Sequence, residues 1–351
     1  MAPYKVIDSH IHLWPESASS ASPTGHSWMT PGMPLAKPHL LPNYLSAIQP
    51  FHPDRDGLEG VVYVETDRAY TSPPSLQESE FETWATGPLD EIKFIRSLVA
   101  ADLGPEGPHL LRGVVLWAPM QLSTRVLRKY LRVAEGLAGP EAWKRVKGFR
   151  FLLQGVTDRA AFERLVLSEA FLGNLRLLGE KDFVFDIGVS QLSGGSWQLE
   201  LIAEALEKAT QWGKRVKIVL NHLCKPDFAS SQGEEFERWS KAVARMAQKP
   251  ETYMKLSGAF SELSAEQKRD TDGIVQTLLP WVRHILQSFG PGRVMFGSDW
   301  PVCNVGGPAG EQSWGRWKMV VMTLLDSEEL ALSWKDKVMV LTDTARKAYS
   351  L

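Results

Sequence analysis

Eight short apolar runs, spread along the whole chain and separated by segments of helical periodicity, constrain this sequence more than any other feature. They are Lys5–His10, Gly60–Glu65, Gly113–Trp117, Val146–Phe151, Phe183–Ile187, Val216–Asn221, Tyr253–Ser257 and Arg293–Ser298. Rich in Val, Ile, Leu and Phe and without clean alternation, they suit strands buried on both faces of a parallel sheet. Between them Thr124–Leu137, Arg159–Leu178, Gln198–Trp212, Glu234–Gln248 and Asp272–Phe289 carry apolar residues at helical spacing. Alternating strands and helices require a parallel sheet, and eight such units predict an α/β fold, a closed (β/α)8 TIM barrel. An open doubly wound sheet lacks support. His-Ile-His-Leu-Trp stands where a Gly-rich phosphate fingerprint would follow the first strand.

Residues 1–351 are read as a single barrel domain, with an extra C-terminal helix near Ser333–Tyr349 covering an end of the barrel. Two extended loops follow strands one and two, Pro15–Pro42 and the connection opened by Asp67–Pro74. Both emerge on the face where barrels hold their chemistry, so both are candidates for a lid or a substrate wall. For residues 17–27 a loose surface loop is an equal alternative. With 44% hydrophobic and 23% charged residues, the chain can bury a large core without disulfides. A net charge of −2 offers no electrostatic case for nucleic acid or an anionic membrane. Two cysteines, Cys224 and Cys303, are too few for a disulfide scaffold. The opening Met1–Lys5 lacks the apolar stretch of a signal peptide, and no window reaches the roughly 18 apolar residues of a membrane span. The expected location is cytoplasmic. Homodimerisation is compatible with such a barrel, although no residue specifies it.

The first and last strands end in the residues with the most chemistry. Strand residues two apart point the same way, so His10 and His12 are expected to face one cavity as metal ligands or acid/base groups. The bland alternative is a pair of core histidines held by backbone hydrogen bonds. Asp299 follows Val294–Ser298, and a carboxylate there must face solvent, a cation or a catalytic water. Its best role is general base, with an N-cap as the alternative. His222 ends strand six and is suited to polarising a carbonyl or moving a proton, while Lys225 offers positive charge to a substrate oxygen or is merely solvated. Glu65 and Arg68 follow strand two, and Arg150 lies within strand four. A guanidinium inside an apolar strand suits a carboxylate, a sugar oxygen or an oxyanion, or else a structural Glu65–Arg150 ion pair. Asp186 on strand five carries the same ambiguity. Trp14, Trp117 and Trp300 follow strands one, three and eight, where their faces could stack on a ring-shaped substrate.

On these residues the chain resembles the amidohydrolase superfamily, in its amidohydrolase-2 branch. The resemblance rests on Ile-Asp-Ser-His-Ile-His-Leu-Trp from residue 7, Phe-Gly-Ser-Asp-Trp-Pro-Val from residue 296, and Asp343–Tyr349. Gly148–Gln154, Phe185–Ile187 and Asn221–Pro226 are similar to the sugar-lactonase and 2-pyrone-4,6-dicarboxylate lactonase group; Thr66–Arg68 and the Pro-rich first loop look most like fungal L-rhamnono-gamma-lactonases. The resemblance implies a barrel that hydrolyses a cyclic ester, with His10, His12, His222 and Asp299 matching the active-site motif. Asp186 stands where many metal-dependent relatives place a histidine ligand, which removes the usual binuclear arrangement. A single zinc on His10, His12 and Asp299, with Glu65 or His222 contributing, and metal-free hydrolysis both stay open. Cys224 replaces the commoner glycine of a His-Leu-Gly-Lys-Pro stretch. The expected reaction is opening of an L-rhamnono-1,4-lactone-like aldonolactone by Asp299-activated water, with His222, Arg150 or a metal stabilising the oxyanion. The substrate-binding residues are then Glu65, Arg68, Trp14, Trp117, Lys225, Asp186 and Trp300. The alternatives are a 2-pyrone-4,6-dicarboxylate hydrolase, a zinc-dependent decarboxylase and a non-catalytic barrel.

Overall fold

The computed structural model describes residues 4–22, 24–51, 57–71, 81–105, 107–209, 216–229 and 231–351. Eight strands follow one another around a sheet in chain order: β1 Val6–Ile11, β2 Leu58–Val64, β3 Leu111–Trp117, β4 Val146–Arg150, β5 Val184–Ile187, β6 Lys217–Leu220, β7 Thr252–Leu256 and β8 Val294–Phe296. Every neighbouring pair is parallel. Strand ends differ from the sequence expectation by one or two residues, where the ladder frays into the loops. The ring closes just beyond the paired strands. Ile11 bridges in parallel to Trp300, His12 N–H donates to Trp300 O at 2.7 Å, and Asp299 N–H donates to His10 O at 2.9 Å.

A buried carboxylate clamps this seam from below. Asp8 accepts hydrogen bonds from Ser298 N (2.8 Å), Trp314 Nε1 (2.9 Å), Tyr44 Oη (3.0 Å) and His10 N (3.3 Å). Beside it Ser9 Oγ donates to Phe296 O at 2.6 Å. The β1–β2 register shifts between Asp8 and Ile11. Ile7 packs into the inner core, and such a shift lets His10 and His12 turn inward on the same strand. Gly297 makes room for them: a Cβ there would lie 3.0 Å from His10 Cβ and 3.2 Å from Ser9 Oγ.

The barrel interior is filled by Ile7, Val62, Val64, Val115, Val184, Val219, Tyr253 and Met295, mostly branched side chains below the site. Ala345, Ala348 and Tyr349 of the last helix join the same cluster, so the chain's end covers the barrel floor. That terminal segment is three consecutive helical pieces, Trp334–Val338, a π turn Met339–Asp343 and Thr344–Tyr349. A separate, larger core lies between the strands and the outer helices.

Other helices depart from the expected pattern for local reasons. Arg159–Leu178 is two helices, Arg159–Val166 and Glu169–Glu180, because Ser168 Oγ accepts from Phe171 N and starts a new helix. The helix from Thr124 runs on to Trp143 across a kink at Gly139 and Pro140. The eighth-strand and second-strand crossovers contain Ser313–Asp326 and Thr86–Asp102, which the apolar periodicity did not reveal. Thr86–Asp102 buries Glu91 and Asp102 on its inner side, which blurs its apolar stripe. Residues 210–212, expected to end another helix, lie outside the described residues. No helix among the described residues is long and apolar enough to cross a membrane.

Asp8→Ala should test the clamp. It leaves several buried donors without an acceptor, and the expected loss is about 3 kcal/mol or more. Urea unfolding should show a lower midpoint at unchanged slope. A midpoint equal to that of the unsubstituted protein would mean the seam holds without this carboxylate.

Candidate active site

A cavity of about 380 Å³ opens at the C-terminal ends of the strands, within the usual range for small-molecule sites. Its floor includes His12, His222 and Asp299, and its sides Arg150, Gln154 and Lys225. Trp14, Trp28, Met33 and Leu35 form an apolar wall. That wall comes from the first long loop, which folds back over the mouth. Trp14 and His39 exchange backbone hydrogen bonds of 2.8 and 2.9 Å. His26 is fully buried, with ring nitrogens 2.6 Å from Ala18 O and 2.7 Å from Thr66 Oγ1. Ala69 N–H donates to Gly25 O at 2.7 Å. The described part of 17–27 is therefore a tied-down wall, not a loose loop. Of the second loop, residues 72–74 lie outside the described residues.

Three strand ends deliver the reactive groups to one point. Asp299 Oδ1 lies 3.4 Å from His12 Nε2, 3.6 Å from His10 Nε2 and 3.7 Å from His222 Nε2. The two β1 histidines meet through their Nε2 atoms at 3.1 Å. His12 Nδ1 lies 2.8 Å from Val64 O; a carbonyl only accepts, so this nitrogen carries the proton and Nε2 of the neutral ring is a lone pair. His222 Nδ1 is held by Ser257 Oγ at 2.9 Å. A Cβ on Gly258, which has φ 64°, would meet His222 Nδ1 at 2.4 Å, so only glycine leaves the ring where it stands.

Backbone conformation at the site is unusual. His222, Leu223, Cys224 and Lys225 all have positive φ, at 55°, 54°, 61° and 44°, and Asp299 has φ 62°. Non-glycine residues rarely adopt this region, each at a cost of order 1 kcal/mol, and such outliers gather at functional sites. Trp239 Nε1 pins the turn by donating to Leu223 O at 2.9 Å. The turn explains why glycine would suit position 224: Cys224 sits at a φ that glycine adopts without strain.

Burial governs the charges. Desolvation pushes the His222 imidazolium down to about 3 and holds His10 well below the ordinary value, where Lys255 adds to the effect, so both rings are neutral near pH 7. Burial works against the Asp299 charge as well. His222, His12 and Lys225 outweigh it and hold the carboxyl down to about 2. The site therefore presents an anionic carboxylate beside the neutral imidazoles of His10 and His222. His12 Nε2 stands between Asp299 Oδ1, at 3.4 Å, and His10 Nε2, at 3.1 Å.

The other expected residues divide into two groups. Glu65 stands behind Arg150, joined to it through the guanidinium Nε, while a second guanidinium nitrogen donates to Glu65 O at 2.5 Å. Lys225 reaches the cavity but is paired with Glu262 at 3.1 Å. Arg68, Trp117, Asp186 and Trp300 are not on the cavity wall. Arg68 is buried with its guanidinium carbon 5.8 Å from the Phe94 ring centre. Trp117 packs among Tyr70, Trp84 and Tyr130, and Trp300 against Tyr44 and His39. Asp186 faces down, accepting from Lys255 Nζ at 2.7 Å and from Tyr349 Oη at 2.9 Å. Sequence reasoning passed over Lys255, Ser257, Trp28 and Asp67. Lys255 carried a usable signal, a charged residue inside the apolar run Tyr253–Leu256, the same signal that marked Arg150.

His10, His222 and Asp299 could together hold a metal ion, since each offers a ligand atom within 4.8 Å of the others. The carbonyl facing His12 Nδ1 puts the proton there and makes Nε2 a lone pair, whereas the Ser257 hydroxyl can donate to or accept from His222 Nδ1 and so allows either tautomer. Glu65 is not part of this cluster; its carboxylate is engaged by Arg150 and by Asp67 N at 2.7 Å.

A family profile described as amidohydrolase matches residues 7–351. Among curated relatives, an L-rhamnono-gamma-lactonase of Scheffersomyces stipitis is 30% identical, covering 100% of both chains. An L-fucono-1,5-lactonase of Burkholderia multivorans is 28% identical over 85% of this chain and 82% of its own. Among solved structures, an amidohydrolase from Burkholderia multivorans with bound zinc superposes with a TM-score of 0.71 at 25% identity, covering 99% of each chain.

Asp67, on the cavity wall, has its carboxyl pushed up to about 7 from the ordinary 3.8 by burial and by the Glu65 charge. A raised carboxyl value favours the neutral form in the folded state. The fold thus loses stability as pH rises from about 4 through 7. Asp67→Asn should raise the melting temperature more at about pH 8 than at about pH 5. Equal shifts at the two pH values would remove Asp67 as the titrating group.

Proposed function

The chain belongs to the amidohydrolase family, and from that premise we propose that it is a carboxylic-ester hydrolase opening a sugar-derived lactone to its aldonic acid. The observation that carries this reading is the ionised Asp299, ringed by three histidines, on the floor of a cavity whose cations are already paired. An aromatic or pyrone dicarboxylate requires free cationic partners. Arg150 is held by Glu65, Lys225 by Glu262, and Arg68 lies off the wall. A neutral polyol ring needs instead hydroxyl partners and a stacking face, and the cavity lining offers Asp67 and Gln154 for the first and Trp14 and Trp28 for the second. Full-length similarity to an L-rhamnono-gamma-lactonase supports an L-rhamnono-1,4-lactone-like substrate.

In the proposed reaction Asp299 accepts a proton from a water held against His12 and His222, and the water oxygen attacks the lactone carbonyl. The carbonyl π electrons move to oxygen, and His222 or Arg150 donates to the oxyanion that develops. Collapse of the tetrahedral centre breaks the ring C–O bond. The departing alkoxide takes the proton through a histidine, leaving Asp299 ionised for the next turnover. An alkoxide leaves more readily than an amide nitrogen, so one base and one electrophile suffice. Asp299 and His222, with one histidine of the His10–His12 pair, are also the residues that would hold a divalent cation, with zinc the favoured ion. When bound, such a cation polarises the carbonyl and acidifies water. Hydrolysis without a metal is the parallel reading.

Asp299→Asn should lower kcat by about 10³-fold while the far-UV spectrum and melting temperature stay close to those of the unsubstituted protein. Undiminished turnover would sink the assignment of the base. A pH-indicator assay over L-rhamnono-, L-fucono-, L-galactono- and D-sugar lactones beside a pyrone dicarboxylate tests the substrate class. Sugar-lactone turnover is expected, and turnover of the pyrone alone would transfer the assignment to dicarboxylates. Repeating the assay after chelation and zinc add-back separates the two cofactor readings.

A further inference from the structure

A column of buried polar groups runs from the barrel floor to the site. Tyr349 Oη donates to Asp186, 2.9 Å from both carboxylate oxygens. Asp186 accepts from Lys255 Nζ at 2.7 Å, and Lys255 Nζ stands 3.1 Å from His10 Nδ1. Lys255, Asp186 and His10 are all fully buried. The column lies below the cavity, and neither Lys255 nor His10 lines it.

We infer that Lys255 is a positioning residue that makes His10 a proton donor to His12 and keeps His10 out of metal coordination. An ammonium group has three donors and no acceptor. Anchored by the Asp186 carboxylate, it donates to His10 Nδ1, and the one proton of the neutral ring must then sit on Nε2. The opposite end of the chain of contacts gives the same direction independently. Val64 O fixes the His12 proton on Nδ1, so His12 Nε2 accepts, and His10 Nε2 at 3.1 Å supplies the donor it needs. The order is Lys255 to His10 to His12, every nitrogen satisfied. A metal on His10 Nε2 would require the other tautomer, with Nδ1–H aimed at an acceptor. Lysine is the wrong partner for that. The His12 Nε2 lone pair is taken up by His10, whereas His222 Nδ1 faces the Ser257 hydroxyl, which can accept its proton and leave Nε2 to a ligand. The spatial cluster His10, His222 and Asp299 therefore overstates His10 as a ligand. The inference concerns the site alone and holds whichever lactone is turned over.

The test reads tautomer and metal affinity, not activity. ¹⁵N-histidine spectra of the metal-free protein near pH 7.5, with His10 assigned by its loss in His10→Gln, should show its proton on Nε2. A proton on Nδ1 would overturn the inference directly. Replacing Lys255 alone leaves Asp186 as a buried carboxylate short of its cation, so the informative variant is Lys255→Met with Asp186→Asn. That double variant keeps an acceptor for Tyr349. It should release His10 to the mixed or Nδ1–H tautomer and tighten zinc binding about ten-fold in a chelator competition, and adding His10→Gln should cancel the gain. Lys255→Arg, which preserves donation, should keep the original tautomer and affinity. Unchanged tautomer and zinc affinity in a folded double variant would reduce Lys255 to a structural role.

Discussion

The seam between β1 and the segment after β8 is the constraint on which the rest depends. Two backbone hydrogen bonds, from Asp299 to His10 and from His12 to Trp300, close the barrel. The same two bonds bring a carboxylate from one end of the chain against histidines from the other. Fold closure and site assembly are thus one event. Asp8 lies beneath the seam and binds backbone or side chain from both ends and from two flanking segments. Its carboxylate would be expensive to bury alone and is stabilised only in the closed ring. Geometry at Asp299 therefore inherits the rigidity of the whole barrel.

Inside the ring, most buried charges are neutralised by a specific partner. Glu65 faces Arg150, Lys225 faces Glu262, and Asp186 faces Lys255 and Tyr349. Pairing offsets desolvation without adding much stability. Asp299 is treated differently. Its nearest neighbours are imidazoles, of which burial keeps His10 and His222 neutral. Reactivity is located where compensation is incomplete. Left-handed backbone from His222 to Lys225 and at Asp299 adds strain at the same place, held by the packing of Trp239 and by glycines that leave space for the rings.

The cavity wall has a different origin from its floor. Strand ends supply the floor, whereas Trp14, Trp28, Met33 and Leu35 come from one long loop with its own small apolar cluster. A loop of this kind is ordered by packing and by bonds to Thr66 and Ala69, not by regular secondary structure. Changes there can alter which ring is stacked while the base and its histidines stay in place. This separation of chemistry from shape is what allows one barrel to serve many substrates.

The sequence by itself determined the barrel, the eight strands to within a residue or two, and the residues of the floor. These follow from local regularities: apolar runs of strand length, helical spacing between them, and polar residues at strand ends. His10, His12, His222 and Asp299 were legible because each ends a strand. The helix Thr86–Asp102 was not, because local pattern is blurred where buried acids such as Glu91 and Asp102 find partners elsewhere in the fold. Only the tertiary structure decided which polar side chains reach the cavity. Asp186 and Arg150 read alike in sequence, yet one points to the floor helix and the other to the wall. The difference lies in partners brought together around the ring, Lys255 and Tyr349 for one and Glu65 for the other. The proton positions on His10 and His12 were decided in the same way, because a tautomer is set by the atom facing each nitrogen, and that atom comes from another strand.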